Sequence, residues 1–324
     1  MQSKTKNWKK KRESKTNKLI QRICYIFGIN RIRAVSILNH DIEKSIRLNT
    51  LKIKEKETLL KDIALNGWQL TPIYWADNCY YLTEGKRKIS NSSYFVNGEI
   101  YIQNTSSFIP TIVLNPQQNE TILDMCAAPG GKTSHIAQLI YNTGYIYAND
   151  KFSYRMDTLK AVCTQLGVKI TEYTSLNTKK LKVYYESKRI LFDKILVDAP
   201  CSAEGMINLR NPNSVRFWSE KRIEKFSTQQ KQIITTAFDL LKKGGTMVYS
   251  TCTYAPEENE RVLDHLLKSR KNAKLEEIQL KLDNFYPALT RWNREEYNKE
   301  IKKAVRIMPN RFMEGFFVAK IKKH

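Results

Sequence analysis

Beyond Asn115-Pro116 the chain repeats one local pattern: a short apolar run, a polar or glycine turn, then a helical stretch. Residues 121–125, 145–148, 190–197 and 246–249 are the apolar runs, and residues 134–140, 153–166 and 229–241 carry helical spacing. Strands separated each time by a helix do not pair as hairpins. The pattern therefore predicts an α/β fold: a mostly parallel sheet with helices on both faces. Ligands in such folds sit beyond the carboxyl ends of the strands, so the turns there are where chemistry is expected.

The preceding segment reads differently. Leu19, Ile20, Ile23, Ile26 and Phe27 fall on one helical face; residues 45–51 alternate as a strand; residues 56–65 are helical and stop at Asn66-Gly67. Short strands follow at 68–75 and 79–82. These elements predict a small α/β domain over residues 19–103 that positions substrate, ahead of a catalytic domain over residues 104–324. Residues 1–18 hold eight Lys/Arg and one Glu with almost no apolar residues, the signature of a flexible basic arm.

Composition bounds the partners. Lys+Arg of 55 against Asp+Glu of 32 gives +23, which favours a polyanion bound through phosphate contacts, or else marks a solvated lysine-rich surface. No run of about 18 apolar residues exists, so no membrane span is expected. The six cysteines form no CxxC pair and only four histidines are present, which argues against a zinc site and against a disulfide scaffold. Reduced thiols in a cytoplasm-like compartment follow, although the basic N-terminus leaves organellar import open. No metal is expected. A monomer is the expectation, with contact to a ribosomal subunit or accessory protein left open.

The first catalytic-domain strand runs into Cys126-Ala127-Ala128-Pro129-Gly130-Gly131-Lys132-Thr133 and a helix. Its glycines allow backbone to approach a ligand, and the helix N-terminus offers N–H groups to an anion. Asp150 stands one strand later, where an acid holds ribose hydroxyls. A nucleoside-containing cofactor is implied. Gly131-Lys132-Thr133 also matches the end of a P-loop, but Cys126 occupies the position of that pattern's first glycine, so a phosphate-wrapping loop is disfavoured.

Asp198-Ala199-Pro200-Cys201-Ser202 follows the third strand and Ser250-Thr251-Cys252-Thr253 the fourth. A lone cysteine in either place is most often a small buried hydrophobe. Two at neighbouring strand ends have a chemical use. Carbon 5 of cytosine is a poor nucleophile until a thiolate adds at carbon 6 and makes the ring enamine-like. Asp198 is placed to neutralise charge at the ring nitrogen, and Lys132 to lower a thiol pKa. The residues alone do not say which cysteine attacks.

CAAPGGKT, DAPCSAEGM, KKGGTMVYSTCTYAPEENE and RIMPNRFMEGFFVAK resemble the successive motifs of the Nop/Sun family of RNA cytosine-5 methyltransferases, with SIRLNTL and YIQNTSSFIP resembling its upstream segments. The resemblance covers residues 45–320. It implies a Rossmann-like class I methyltransferase with a mostly parallel seven-stranded sheet, S-adenosylmethionine as cofactor, and ribosomal or transfer RNA as partner. It assigns attack to Cys252, release of the covalent adduct to Cys201, and a role as base and in cofactor positioning to Asp198, beside Lys132. Cofactor contacts map onto Cys126, Ala127, Ala128, Pro129, Gly130, Gly131 and Lys132, onto Asp150 with Arg155, and onto Asp198. Three departures stand out: Asn177 replaces the Asp expected at the adenine edge, Ala203 replaces a glycine, and Asn310 replaces a histidine. The alternative is a non-catalytic RNA-binding or ribosome-assembly factor that retains the fold, which the intact cysteines and glycine loop disfavour.

Phe285, Tyr286, Trp292 and Tyr297 lie among basic residues and are candidates either to clamp unpaired bases or to plug a core edge. Arg210, Arg216 and Trp218 are expected along an RNA cleft. His135 and His265 read as ordinary helix residues.

Overall fold

The computed structural model describes residues 2–39, 41–83, 87–211 and 213–324, with side chains from Arg12 onward. Strands β1 (Lys44–Leu48), β2 (Gln69–Pro72), β3 (Cys79–Thr83) and β4 (Ile100–Ile102) form an antiparallel sheet in the order β2-β3-β1-β4. Helix Lys56–Leu65 lies where its spacing placed it and buries Leu59 and Ile63 against Ile46, Leu48, Tyr80 and Leu82. It ends at Gly67, whose φ of +89° is open to glycine at little cost.

The two preceding helices do not join this unit. Gln2–Phe27 and Arg31–Ile37 bury Leu19, Ile20, Ile23, Ile26 and Phe27 against Ile207, Trp218, Ile223, Tyr254 and Met308 of the catalytic part. The apolar stripe that complements the first helix lies on residues 207–308, so within residues 19–103 the first helices pack on the catalytic part and the rest around the antiparallel sheet. Residues 2–18, expected as a flexible arm, continue that helix. Extending a helix costs far less than starting one, so the docked apolar turns carry the basic ones. Lys15 Nζ donates to Arg216 O at 2.9 Å and Lys18 Nζ lies 3.6 Å from Glu220. A grip on RNA by the basic residues 2–11 falls outside the described side chains.

The central sheet contains β5 (Thr121–Asp124), β6 (Tyr145–Asn149), β7 (Glu172–Thr174), β8 (Phe192–Asp198), β9 (Leu241–Thr251), β10 (Ala273–Glu276) and β11 (Phe285–Pro287). A two-stranded ribbon of β12 (Arg291–Trp292) and β13 (Glu295–Glu296) follows, and β14 (Val305–Ile307) and β15 (Phe316–Lys323) return to the sheet. The order is β11-β14-β15-β9-β8-β5-β6-β7, with β10 beside β15. Strands β5 to β9 are mutually parallel; β15 runs against β9, and β14 against β15. The expected seven-stranded sheet is therefore the core of a nine-stranded one, to which β10 and β11 add short edges.

Side chains alternate between its two faces. Leu123, Ile195, Val197, Met247, Tyr249, Phe317 and Ala319 pack toward helices Thr178–Ser187, Glu220–Leu240 and Glu260–Ser269. Ile122, Leu196, Val248, Phe316 and Val318 pack toward Ile109–Leu114 and Gly131–Leu139. Each fully buried aliphatic side chain stabilises the fold by about 1.5–3 kcal/mol. Two helical layers thus close both faces and leave the carboxyl ends of β5, β6, β8 and β9 as the open rim. Chain order reverses between β5 and β8, which places a crevice there.

Candidate active site

Four strand ends meet in one cavity of about 210 Å³, bordered by Cys126 and Ala128 after β5, Asp150 after β6, Asp198 and Cys201 at β8, and Cys252 after β9. The turn after β5 enters the helix Gly131–Leu139 through Gly130, whose φ of +113° excludes most side chains. Ala127, Pro129 and Gly131 face a second cavity of about 230 Å³ between this turn and Tyr101 and Gln103.

Asp150 is 1% exposed and holds this turn. One of its oxygens accepts from Ala128 N at 3.3 Å and lies 3.0 Å from Arg155 Nη1; the other accepts from Phe152 N at 3.1 Å. Arg155 also donates to Ala128 O, so it staples the turn to the following helix. Asn149, at the end of β6, carried no signal in the sequence and does more. Its Nδ2 donates to Met125 O and Leu176 O, and its Oδ1 accepts from Leu176 N and Thr174 Oγ1. It ties three strand ends together.

Asn177 stands beside the cavity. Its exposed side chain caps helix Thr178–Ser187 by accepting from Lys180 N at 3.1 Å, and the cavity is lined by its neighbours Leu176 and Thr178. Serving as an N-cap is a common use of an Asn before a helix, and the bond fixes where its side chain points.

Lys132 Nζ lies 2.6 Å from Asp198 Oδ2, and Asp198 Oδ1 accepts from Ser250 Oγ at 2.8 Å. Burial works against the ammonium, but Asp198, followed by the field of Cys252, outweighs it and keeps the Lys132 pKa raised. A lysine committed to Asp198 is not available to a phosphate, which removes the P-loop reading. Beneath the turn, buried Asp124 accepts from Thr133 Oγ1 at 2.7 Å; burial above all raises its carboxyl to about 7.

Cys201 Sγ lies 3.4 Å from Cys252 Sγ. The Cys201 thiol is pushed well up, first by its hydrogen bond to Cys252 and then by burial, with the charge of Glu258 adding to both. Glu258 Oε2 accepts from Ser202 N at 3.0 Å and from Gln230 Nε2 at 2.9 Å, while burial raises its carboxyl to about 8. Gly205 N donates to Cys252 O at 2.9 Å, and a Cβ on Gly205 would stand 2.0 Å from Gly315 O. Three backbones are therefore pressed together behind the cysteines, a use of both glycines that only the tertiary contact reveals.

Trp218, expected along an RNA cleft, is 3% exposed and donates to Glu204 Oε1 at 2.6 Å, so it is a core residue. Arg210 is ion-paired with Asp41 at 2.5 Å, and Arg216 stacks over Phe217. Trp292 donates to Glu257 beneath Arg22, Tyr297 is buried and Phe285 joins the core; Tyr286 alone of that group lines a cavity among the described residues. His135 is buried neutral with Nδ1 2.5 Å from Thr111 Oγ1.

Fold and strand-end site together define a Rossmann-like methyltransferase. Residues 111–322 match the family model described as 16S rRNA methyltransferase RsmB/F, and residues 17–105 that of the N-terminal domain of 16S rRNA methyltransferase RsmF. The chain belongs to this family, the Nop/Sun RNA cytosine-5 methyltransferases to which its motifs pointed. It is 40% identical to the tRNA (cytosine(49)-C(5))-methyltransferase of Pyrococcus abyssi over 87% of this chain and 88% of that protein. It is 33% identical to the ribosomal RNA small subunit methyltransferase F of Vibrio parahaemolyticus over 92% of this chain, and spans 60% of that relative's length. A solved methyltransferase homolog from Pyrococcus horikoshii superposes with a TM-score of 0.77 at 31% identity, covering 95% of this chain and 99% of that one. NSun6 from the same organism, solved with SFG, gives 0.77 at 25%, covering 94% and 97%.

Proposed function

We propose that this chain methylates carbon 5 of a cytosine in structured RNA, with S-adenosylmethionine as donor, through a covalent bond between Cys252 and carbon 6 of the base. The observation that carries the reading is the cysteine pair itself, two sulfurs 3.4 Å apart at neighbouring strand ends on the rim of the cavity, and the motif around each assigns attack to Cys252 and release to Cys201. The contact with Cys252 and then burial push the Cys201 thiol up, and its sulfur is within hydrogen-bond reach of Cys252. A thiolate at Cys252 then has a hydrogen-bond donor at one side and the Lys132 ammonium as a nearby cation.

The cavity suits the donor. Asp150 borders the cavity where a carboxylate can accept further hydrogen bonds from ribose hydroxyls, Leu176 and Phe152 supply apolar walls, and the helix at Gly131 offers N–H groups to a carboxylate. The solved relative with SFG, an S-adenosylmethionine analogue, supports the same assignment. The donor, when bound, supplies an electrophilic methyl group.

The residues do the rest. Cys252 sulfur adds to carbon 6, and the ring's electron pair moves toward carbon 5. The Lys132–Asp198 pair gives a proton to ring nitrogen 3 as charge builds there. Carbon 5 would then be placed to take the methyl group of a bound donor, whose leaving sulfur would keep the bonding pair. Asp198 removes the carbon 5 proton, the double bond re-forms, and Cys252 leaves with its electrons. Cys201 donates a hydrogen bond to that departing sulfur, which is its part in release. Nitrogen 3 loses its proton to water, so one proton is released overall.

Transfer RNA is the first substrate to test, because the relative matched over 88% of its length carries that name. The six free cysteines accord with work in a reducing, cytoplasm-like compartment. The test is base-resolution mapping of 5-methylcytosine in total RNA treated with the purified protein and S-adenosylmethionine. New methylation supports the reading; binding of the donor with no methylated RNA overturns it in favour of a non-catalytic RNA-binding factor.

A further inference from the structure

A third cavity, of about 480 Å³, lies away from the strand ends, where the second helix, the β2–β3 turn and residues 282–313 converge. Its walls include Tyr74, Trp75, Tyr81, Tyr286 and Phe312. Tyr81 and Phe312 already form a tilted platform with ring centroids 4.3 Å apart. Tyr74 is 85% exposed, although it sits between Ile73 at 3% and half-buried Trp75. Single exposed aromatics are ordinary, but an exposed ring beside an aromatic platform in a concave site is a stacking surface.

The charges agree with an RNA strand. Exposed Arg33 lines the cavity and supplies its cation, while the Arg311 guanidinium stands 4.8 Å over the Phe312 ring and is ion-paired with Glu43, so it stiffens the platform without adding free charge. Asp283 is the single carboxylate among the lining residues. It disfavours a phosphate inside and accepts from the amino edge of a base. The cavity is also linked to the reaction centre. Its wall at Asn310 and Phe312 leads within three residues to Gly315, whose carbonyl is pressed on Gly205 behind Cys252. Asn310 holds that turn, its Oδ1 accepting from Phe312 N at 2.8 Å and Met313 N at 2.9 Å.

We propose that this cavity binds one unpaired nucleobase of the substrate RNA, stacked on Tyr74 and the Tyr81–Phe312 platform, at a distance along the strand from the target cytosine. The site rests on the RNA-methylation reading above and adds a second anchor to it. Such a base would be splayed from its neighbours, so the RNA taken would be unpaired at two places.

The test uses the full chain and a fluorescein-labelled single-stranded 12-nucleotide RNA of mixed sequence, followed by anisotropy across a salt series. Tyr74→Ala is expected to weaken binding about tenfold, as loss of one stacked base does, with the slope of affinity against salt unchanged. Tyr74→Phe is expected to bind as the parent does. The same RNA carrying 5-iodouridine is expected to photocrosslink to Tyr74 or Trp75. Unchanged affinity in Tyr74→Ala, or crosslinks that avoid these residues, overturns the subsite. A change in sedimentation of Tyr74→Ala without RNA assigns the groove to a second copy and overturns it too. Total-RNA methylation by the parent protein is measured in parallel. If it persists while Tyr74→Ala binds normally, only the subsite falls; if it is absent, the functional reading falls.

Discussion

Cys201 Sγ and Cys252 Sγ are 3.4 Å apart although 51 residues separate them in the chain. At that distance the sulfurs are in hydrogen-bond contact without being joined, so one can carry a proton while the other carries charge. The contact makes the two roles compatible, and the family motif around each cysteine assigns attack to Cys252 and release to Cys201.

Replacing Cys252 by Ala removes the attacking sulfur and is expected to lower methylation on the order of 10³-fold or more, leaving S-adenosylmethionine binding in place. Replacing Cys201 by Ala leaves attack intact and removes the donor to the departing sulfur. A protein–RNA adduct that survives denaturing electrophoresis should then accumulate. Normal turnover in Cys201→Ala, measured by product release, contradicts its assignment.

The Lys132–Asp198 contact at 2.6 Å joins side chains that are 14% and 29% exposed. Asp198→Asn keeps the shape and removes the charge that holds the ammonium. It is expected to cost about 2 kcal/mol of stability, less than a fully buried pair because water screens part of it. Methylation should fall by at least about a hundredfold. Urea unfolding and initial rates measure the two effects separately.

Glu258 is a buried carboxyl raised to about 8 by burial, and Asp124 one raised to about 7. A carboxyl with a raised folded pKa keeps its proton in the folded state after the unfolded chain has lost it. Stability therefore falls as pH rises from the unfolded value, about 4, through 7 to 8. Glu258→Gln removes one of the two groups and should flatten the fall by on the order of 2 kcal/mol across that window. Thermal midpoints from pH 5 to 8.5 check this; parallel curves for both proteins would contradict it.

Ala203 takes φ +60°, a left-handed backbone that costs a side chain about 1–2 kcal/mol and glycine almost nothing. Glycine also loses more freedom on folding, so Ala203→Gly should stabilise by about 0.5 kcal/mol net, and Ala203→Val should destabilise. Chemical denaturation midpoints at constant slope resolve both.

Much of this molecule was legible along the chain. The helix at 56–65 fell where its spacing and Asn66-Gly67 put it, and β5, β6 and β8 lay within two residues of their apolar runs. Strand β9 was read as four residues and extends from Leu241 to Thr251, because the glycine-containing stretch before Thr246 shifts register against β8 and the pairing resumes at Leu241. Helix Glu220–Leu240 begins nine residues before the expected Gln229, since its first turns are polar and are marked only by the Ser219 cap. The buried Arg306–Glu260 pair and buried Arg47, which donates to Gly131 O and Ser134 Oγ from the N-terminal sheet, gave no sequence signal. Charged residues read as surface until a partner far away in sequence appears.

The sequence by itself determined β5, β6, β8 and the centre of β9, the helices at 134–140, 153–166 and 229–241, the glycine turn after β5, and the two thiols at strand ends. Period-two and helical spacing, glycine freedom and cap residues act over a few positions, so they are readable locally. Tertiary structure alone decided that Cys201 stands against Cys252, that Lys132 is committed to Asp198, that Asn177 caps a helix, and that the first helices dock on the catalytic part. Each depends on the sheet order β7-β6-β5-β8-β9-β15-β14, which brings residues tens of positions apart within a few ångströms. That order is selected by burial of both sheet faces at once, a condition on the whole chain and not on any segment of it.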